Sequence, residues 1–445
     1  MDAPAPAGPA PDRAAAAWRI EPSGPLSGDV VVAGSKNAVT KHMVAALMAD
    51  TPSTITNAPS VGDVGITAEI LGAVGLEVDI DDSTITVVPT ADPTPRVPLE
   101  FSGLNRIPIL LLGPLLHRAR EAFVPLVGGD RIGRRPVDFH VSALQQMGAE
   151  VEVQPQGITA RMNGRLRGTR ITLPYPSVGA TETVLLSAVL AEGRTVIHNA
   201  ATEPEVVELA LFLQRMGAHI ALRPDRRFVI EGVERLSGAQ AHLQGDRLEA
   251  FSYLVAGLMT GGAVRVGGCG QDRMVTAINT LQRMGADFEI TDDWISARAS
   301  KLQPSAVQTD THPGFMTDWQ PPLIVLMTQA DGMSVLHETV YEDRLGYVDA
   351  LKAMGGEIEL FDTCLGGPAC RFHDSSALHS AVVRGVSKLQ GAEVTIPDVR
   401  AGFSSVIAAA AAEGPSTLHG IHHLERGYNA PFETLVSLGL NLRRV

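Results

Sequence analysis

The sequence predicts a two-domain α/β protein built from six copies of one supersecondary unit. Three observations carry that expectation. Six segments share one form, an apolar helix-like run followed by a glycine and an alternating strand. A second signature of short strand, polar turn and helix start precedes each of them. Finally, 445 residues are too many for one ordinary core, so two sets of three units are the economical division.

The segments read LGAVGLEVDI around Gly75, LQQMGAEVEV around Gly148 and LQRMGAHIAL around Gly217. LQRMGADFEI around Gly285, LKAMGGEIEL around Gly355 and LVSLGLNLRR around Gly439 complete the set. Successive glycines fall roughly 70 residues apart, and the longer last gap holds two cysteines. In each unit Leu and Met at helical spacing form a buried stripe. The glycine ends the helix in the left-handed conformation, and the strand buries one face. The turns before the helices include AFVPLVGGDRIG and SVLHETVYEDRL. Such turns expose amides and side chains at one end of a layer. Chemistry is therefore expected there, in a cleft between the halves, with the boundary near Gln244 to Ala250.

Composition narrows the function. A net charge of −13 argues against general binding of nucleic acid or acidic membranes. No apolar run approaches the roughly 20 residues of a membrane span. The Ala/Pro-rich start, residues 1–18, lacks the marks of a secretory signal and reads as a disordered tail. Three cysteines, Cys269, Cys364 and Cys370, suit a reducing cytoplasm without a disulfide framework. Cys364, Cys370 and His373 raise a metal site. No fourth ligand is evident and the spacing is not a standard zinc pattern, so incidental thiols in a loop insertion are the favoured reading.

The richest single stretch is VGGDRIGRRPVDFH, residues 127–140. Glycines let backbone approach a ligand, and arginine forks suit phosphate and carboxylate oxygens. Asp130 adds a proton-transfer group, although a solvated surface loop fits the stretch equally well. GSKNA offers Lys36 and Asn37 at a helix start, where a solvated lysine and an Asn cap are the plain alternative. Arg106 stands before a very apolar run. Ser177 and Gly179 lie at a helix start suited to phosphate, or simply to an N-cap. Asp318, Arg344, Asp398, Arg400 and Arg426 occupy other turns, where single charges are mostly solvated. Their position on equivalent turns of a repeat points to convergence on one cleft.

These motifs carry a resemblance. GSKNA, RIP…LGPLLHR, GGDRIGRRPVDFH, SVGATE, NAATEPEVVELA, GDRLEA, HPGFMTDWQ, ETVYEDR, PDVRAG and ERGY occur in family order across nearly the whole chain. The sequence resembles the enolpyruvyl transferases, and among them the UDP-N-acetylglucosamine 1-carboxyvinyltransferase family. The resemblance implies a two-domain inside-out α/β barrel. Residues 36–244 form its first domain, and 19–35 plus 245–445 form its second. It implies transfer of the enolpyruvyl group of phosphoenolpyruvate to the 3′-hydroxyl of UDP-N-acetylglucosamine with release of phosphate, the first committed step of peptidoglycan synthesis. Phosphoenolpyruvate is then a co-substrate, and no cofactor or metal is expected. The expected partners are small molecules, phosphoenolpyruvate and a uridine nucleotide, and the chain is expected to be a cytoplasmic monomer.

Residue roles follow by motif. Lys36, Arg135 and Arg426 are expected to hold the phosphoenolpyruvate anion, with Arg106, Arg344 and Arg400 as further candidates. Asn37 and Asp318 are expected to meet the amino sugar, with Asp318 deprotonating the attacking hydroxyl. Arg135, Pro136, Val137, Asp138 and His140 are expected to line the uridine. Ser177, Val178 and Gly179 are expected to cradle the diphosphate, and Val340 to contact the sugar. Glu203, Asp246, Arg247 and Asp398 are expected to shape the closed cleft.

Three departures stand out. Asp130 replaces the cysteine most relatives carry, so a carboxyl takes the place of a thiol as the expected acid. A carboxylate is a poorer nucleophile than a thiolate, so resistance to the epoxide fosfomycin is expected. Ser35 replaces an alanine. Tyr175 stands where many relatives place a basic residue near the diphosphate. Two other readings remain: an enolpyruvyl transferase acting on UMP in nucleoside-antibiotic biosynthesis, and a non-catalytic repeat-built binding protein.

Overall fold

The computed structural model describes residues 17–130, 132–299 and 301–445. Most of the expected tail, residues 1–16, lies outside them, as do Arg131 and Ser300. Residues 17 and 18 depart from that expectation. Ala17 and Trp18 are buried, and strand Trp18–Ile20 pairs antiparallel with both Ser416–His419 and Leu442–Arg444. An indole that fills a core cannot belong to a solvated tail.

The architecture is helices inside sheets. Helices Arg247–Met259 and Gln320–Met327 are buried at every position, and Val399–Ala411 at nearly every one. A helix apolar around its whole circumference belongs at the centre of a protein. These three helices pack on one another. Around them stand three four-stranded sheets. Their Ala, Gly and Ser positions keep the helices slim enough to share one axis. The other half repeats the plan with inner helices Lys36–Ala46, Leu112–Ala119 and Val178–Ala188. Two of its sheets have four strands and one has three.

Two hydrophobic cores result. One draws on residues between Ala38 and Leu243. The other combines Trp18 to Val32 with Leu248 to Leu440. Strand Ser27–Val31 joins the second core by pairing parallel with Ala263–Gly267. Strand Gln240–His242 closes the first by pairing parallel with Ser53–Thr56. The chain therefore crosses between the cores twice, once before helix Lys36–Ala46 and once before helix Arg247–Met259.

The repeat glycines act as the sequence predicts. Gly75, Gly148, Gly217, Gly285, Gly355 and Gly439 have φ of 101°, 94°, 108°, 94°, 89° and 96°. Each ends an outer helix and turns the chain into the next strand. A residue with a Cβ is strained there. Helices Lys36–Ala46 and Arg247–Met259 start where the chain crosses between the cores, and their first residues bond to the opposite half.

Candidate active site

The site is assembled from helix starts on both sides of the seam. At helix Lys36–Ala46, the Lys36 amide donates to Asp246 Oδ2 at 3.3 Å. Its ammonium donates to Asp63 Oδ2 at 3.0 Å. Arg426, from the other core, donates through Nε to Asp63 Oδ1 at 2.8 Å. Asp63 lies in the first turn of helix Gly62–Ala73. Burial pushes its carboxyl up, but Lys36 and Arg426 together outweigh burial and hold it well below the usual carboxylate range. It was not among the residues expected from the sequence. A lone acid in a helix first turn looks like simple dipole matching, and only the fold brings Arg426 to it. Asn37 follows in the same turn, half-buried.

A second cluster surrounds Asp318, which sits in the short helix Thr317–Trp319. Arg344 Nη2 approaches Asp318 Oδ1 at 3.4 Å, and Arg400 Nε approaches Oδ2 at 3.6 Å. Arg344 Nη1 reaches Asp398 Oδ1 at 3.3 Å. Asp398 caps helix Val399–Ala411, accepting the Arg400 and Ala401 amides at 2.9 and 3.0 Å. Arg344 and Arg400 are 2% and 4% exposed. Burial works against both charges, yet Asp398 and Asp318 raise Arg344 further, and Tyr428, Asp246 and Asp318 raise Arg400. Both stay charged. Among the described residues neither Nη1 nor Nη2 of Arg400 has a hydrogen-bond partner. Buried donors without partners are costly, and they mark the place where an anion is expected. Glu338 supports the cluster by accepting Thr317 Oγ1 at 2.9 Å and the Val340 and Tyr341 amides at 2.7 and 3.2 Å.

The glycine-rich loop closes over the seam. The Arg134 amide donates to Glu342 Oε1 at 2.8 Å, and the Asp343 amide to the Ile132 carbonyl at 3.3 Å. Gly133 has φ of 140°, and a Cβ there meets Glu342 Oε2 at 2.5 Å. At Gly129 an added Cβ meets Arg135 Nη1 at 2.8 Å. These two glycines let the loop press against both an arginine and the opposite core. Arg106 Nη1 donates to the Arg135 carbonyl at 2.9 Å. Burial, with Arg135 alongside, pulls Arg106 down to about 10. Asp130 is half-buried. Burial and His422 bring the His423 ring below its ordinary value, with Asp130 partly opposing them.

Beside the loop, helices Asp138–Gln146 and Val178–Ala188 pack together. Pro136, Val137 and Asp138 lie at one helix start, and Ser177, Val178 and Gly179 at the other. Ser177 Oγ accepts the Ala180 amide at 3.4 Å, so it does act as an N-cap. His140 lies between these two helix starts. It is 3% exposed, its Nδ1 is 2.7 Å from Thr183 Oγ1, and burial takes it down to about 3. The ring pins the two helices together.

Behind the site, a buried lock joins the halves. Arg247 Nε and Nη2 donate to Glu205 at 2.9 and 3.0 Å. Asp246 caps helix Arg247–Met259. Glu203 Oε1 accepts the His312 amide at 3.3 Å. A separate surface cavity of about 700 Å³, bordered by Arg194, His219 and Arg223, lies on the outer sheet away from these groups. The cysteine insertion also departs from expectation. Cys364 and Cys370 gather with His337 and His379, while His373 stays exposed and apart.

Residues 20–435 match the family described as EPSP synthase (3-phosphoshikimate 1-carboxyvinyltransferase). The chain belongs to this enolpyruvyl transferase family. It is a transferase. UDP-N-acetylglucosamine 1-carboxyvinyltransferase of Protochlamydia amoebophila is 45% identical over 95% of this chain and 92% of its own. The enzyme of that name from Erwinia tasmaniensis is 37% identical over 96% and 98%. Among solved structures, the enolpyruvyl transferase NikO from Streptomyces tendae superposes with a TM-score of 0.86 at 25% identity, covering 97% of this chain and 99% of its own. EPSP synthase from Acinetobacter baumannii gives 0.75 at 18% identity, covering 97% and 100%, and shares the fold. Among the described residues no helix is long and apolar enough to cross a membrane.

Proposed function

We propose that this transferase moves the enolpyruvyl group of phosphoenolpyruvate to the 3′-hydroxyl of UDP-N-acetylglucosamine and releases phosphate, opening peptidoglycan synthesis. The observation that carries the reading is the convergence of Lys36, Arg344, Arg400 and Arg426 on two carboxylates at one seam, with two Arg400 donors unpartnered. A trianionic co-substrate needs such a cation set, and a binding module for a neutral ligand does not. The full-length relatives named for this acceptor are 37 to 45% identical. NikO, at 25%, is more distant.

In this reading Lys36, Arg135, Arg400 and Arg426 hold phosphate and carboxylate, with Arg106 and Arg344 behind them. Asp130 lies on the lid as the group that delivers a proton to carbon 3 of phosphoenolpyruvate. Asp318, oriented by Arg344 and Arg400, receives the proton of the sugar hydroxyl as it adds to carbon 2. Phosphate then leaves as the added proton is lost. Asn37 and Val340 meet the sugar. Pro136 to Asp138 and Ser177 to Gly179 form the nucleotide shelf. The reaction needs no cofactor, and the chain works in the cytoplasm as a monomer.

Phosphate release from phosphoenolpyruvate with purified protein tests this. Release with UDP-N-acetylglucosamine and none with UMP is the expected result. Release with UMP alone transfers the reading to the nucleoside-antibiotic type. No release with either acceptor removes the enzyme reading.

A further inference from the structure

Strand Glu357–Phe361 is joined to strand Ser380–Arg384 by an insertion, residues 362–379. Both cysteines of the insertion fold back onto one end of the sheet. Strand Met333–His337 pairs with Ser380–Arg384 so that His337 stands opposite Ser380, next to His379. One ligand atom each from His337, Cys364, Cys370 and His379 lie within 4.8 Å of one another. His337 Nε2 is 3.8 Å from Cys364 Sγ. A tetrahedral zinc site with bonds of roughly 2.0–2.3 Å has edges of about 3.3–3.8 Å, so a contraction of about 1 Å completes it.

The second layer is already set for a metal. His379 Nδ1 is 2.7 Å from the Ala377 carbonyl and donates to it, so the inward Nε2 carries the lone pair. That Nε2 is buried and has no hydrogen-bond partner among the described residues. Ser380 Oγ donates to the Thr363 carbonyl at 2.7 Å and so accepts from His337 Nδ1 at 3.1 Å. His337 Nε2 therefore also carries its lone pair, which faces Cys364 Sγ. An outward N–H held by oxygen is what a ligating histidine requires. The Phe372 amide donates to Cys370 Sγ at 3.4 Å, as suits a thiolate. At Gly366 an added Cβ meets His337 Nε2 at 3.0 Å and Cys370 Cβ at 3.1 Å, so the loop lies close against both ligands.

We propose that His337, Cys364, Cys370 and His379 bind one zinc ion that staples the insertion to the sheet. Two thiols lose their protons to solvent on binding, and the dication with two thiolates and two neutral imidazoles makes a neutral site. The staple reaches the seam. Arg371, directly after Cys370, donates to the Val340 carbonyl at 3.1 Å and stacks on the Tyr175 ring of the other core at 4.1 Å. A cation thus stands over the tyrosine beside the nucleotide shelf.

Metal analysis of the purified full chain, reduced and supplied with Zn(II), tests the proposal. About one zinc per chain is expected, as is a tetrahedral cobalt spectrum after exchange with Co(II). Cys370→Ser and His379→Ala lose the metal, and His373→Ala retains it. Less than about a tenth of an equivalent in the folded wild type overturns the proposal. So does equal loss in His373→Ala, or a Cys364–Cys370 disulfide that persists in the protein as isolated. Removing the metal is further expected to raise KM for the uridine nucleotide several-fold with a smaller change in kcat. That last effect rests on the proposed acceptor, whereas metal content is read without substrate, so the two failures are distinguishable.

Discussion

Asp63 shows most clearly what one residue does here. It is the only link in the described structure between Lys36 and Arg426, which come from different cores. Removing it leaves two cations side by side without their shared counter-charge. Asp63→Ala is expected to destabilise the protein by about 3 kcal/mol in urea unfolding, and to lower turnover as well. Lys36→Ala, Arg135→Ala and Arg400→Ala act on the anion site itself. Each is expected to reduce kcat/KM by about 100-fold or more. A steady-state comparison with wild type checks this, and near-normal rates remove the assignment. Asp130 sets a different test. Prolonged incubation with fosfomycin is expected to leave wild-type activity intact, whereas Asp130→Cys becomes open to time-dependent inactivation. A covalent adduct on Asp130 in the intact mass contradicts that expectation. Cys269 is no competing nucleophile, because burial pushes its thiol up to about 12.

Among the elements, the glycine-rich loop is the one whose sequence reads most like its structure. Glycines, an acid and arginines suggested a ligand-binding loop, and the loop does lie across the seam, bonded through Arg134 and Ile132 to the segment at Glu342 and Asp343. Few bonds hold it, so opening is inexpensive. Limited proteolysis is expected to cut within residues 127–136 in the free protein and to slow when both substrates are bound. Gly133→Ala, which forces a Cβ into Glu342 at a φ of 140°, is expected to keep the fold and lose closure. The test is whether protection by substrate disappears in that variant. The cysteine insertion was the least legible element. Its histidine partners are His337, at the end of a strand 27 residues before Cys364, and His379, just before a strand 9 residues after Cys370. A search for a compact ligand spacing picks His373, which the fold leaves outside.

For the molecule as a whole, the two cores are held together by buried charge. Burial pushes Glu205 up, but the Arg247 guanidinium and its two hydrogen bonds outweigh that and bring it down to about 2 from the ordinary 4.5. A depressed carboxyl contributes stability above its unfolded value and loses it as pH falls through the folded one. Glu182 has the opposite sign. Burial, only partly opposed by Lys41, pushes it up to about 7. Its contribution is complete below about 4.5 and is lost as pH rises through 7. Stability is therefore expected to peak between these limits. Urea unfolding measured across pH checks it. Glu205→Gln is expected to flatten the acid side, and Glu182→Gln the neutral side. An unchanged slope in both variants removes these two groups as the source.

Local physics made much of this protein readable in one dimension. Helical spacing, glycine caps and strand alternation are properties of neighbouring residues, so the six-fold repeat and the α/β class could be read directly from the chain. The ordered motifs were enough to indicate the family. Partnerships between segments far apart in the chain were not readable in the same way. Asp63 with Arg426, Glu205 with Arg247, and His337 with the two cysteines are each set by how two helices or strands pack, and sequence spacing carries no record of that. His140 shows the same limit from the other side. Its motif suggested a uridine-lining position, but its hydrogen bond to Thr183 and its contact with Gly179 are set by how two helices meet, because a buried imidazole must find its hydrogen bond where neighbouring helices provide one.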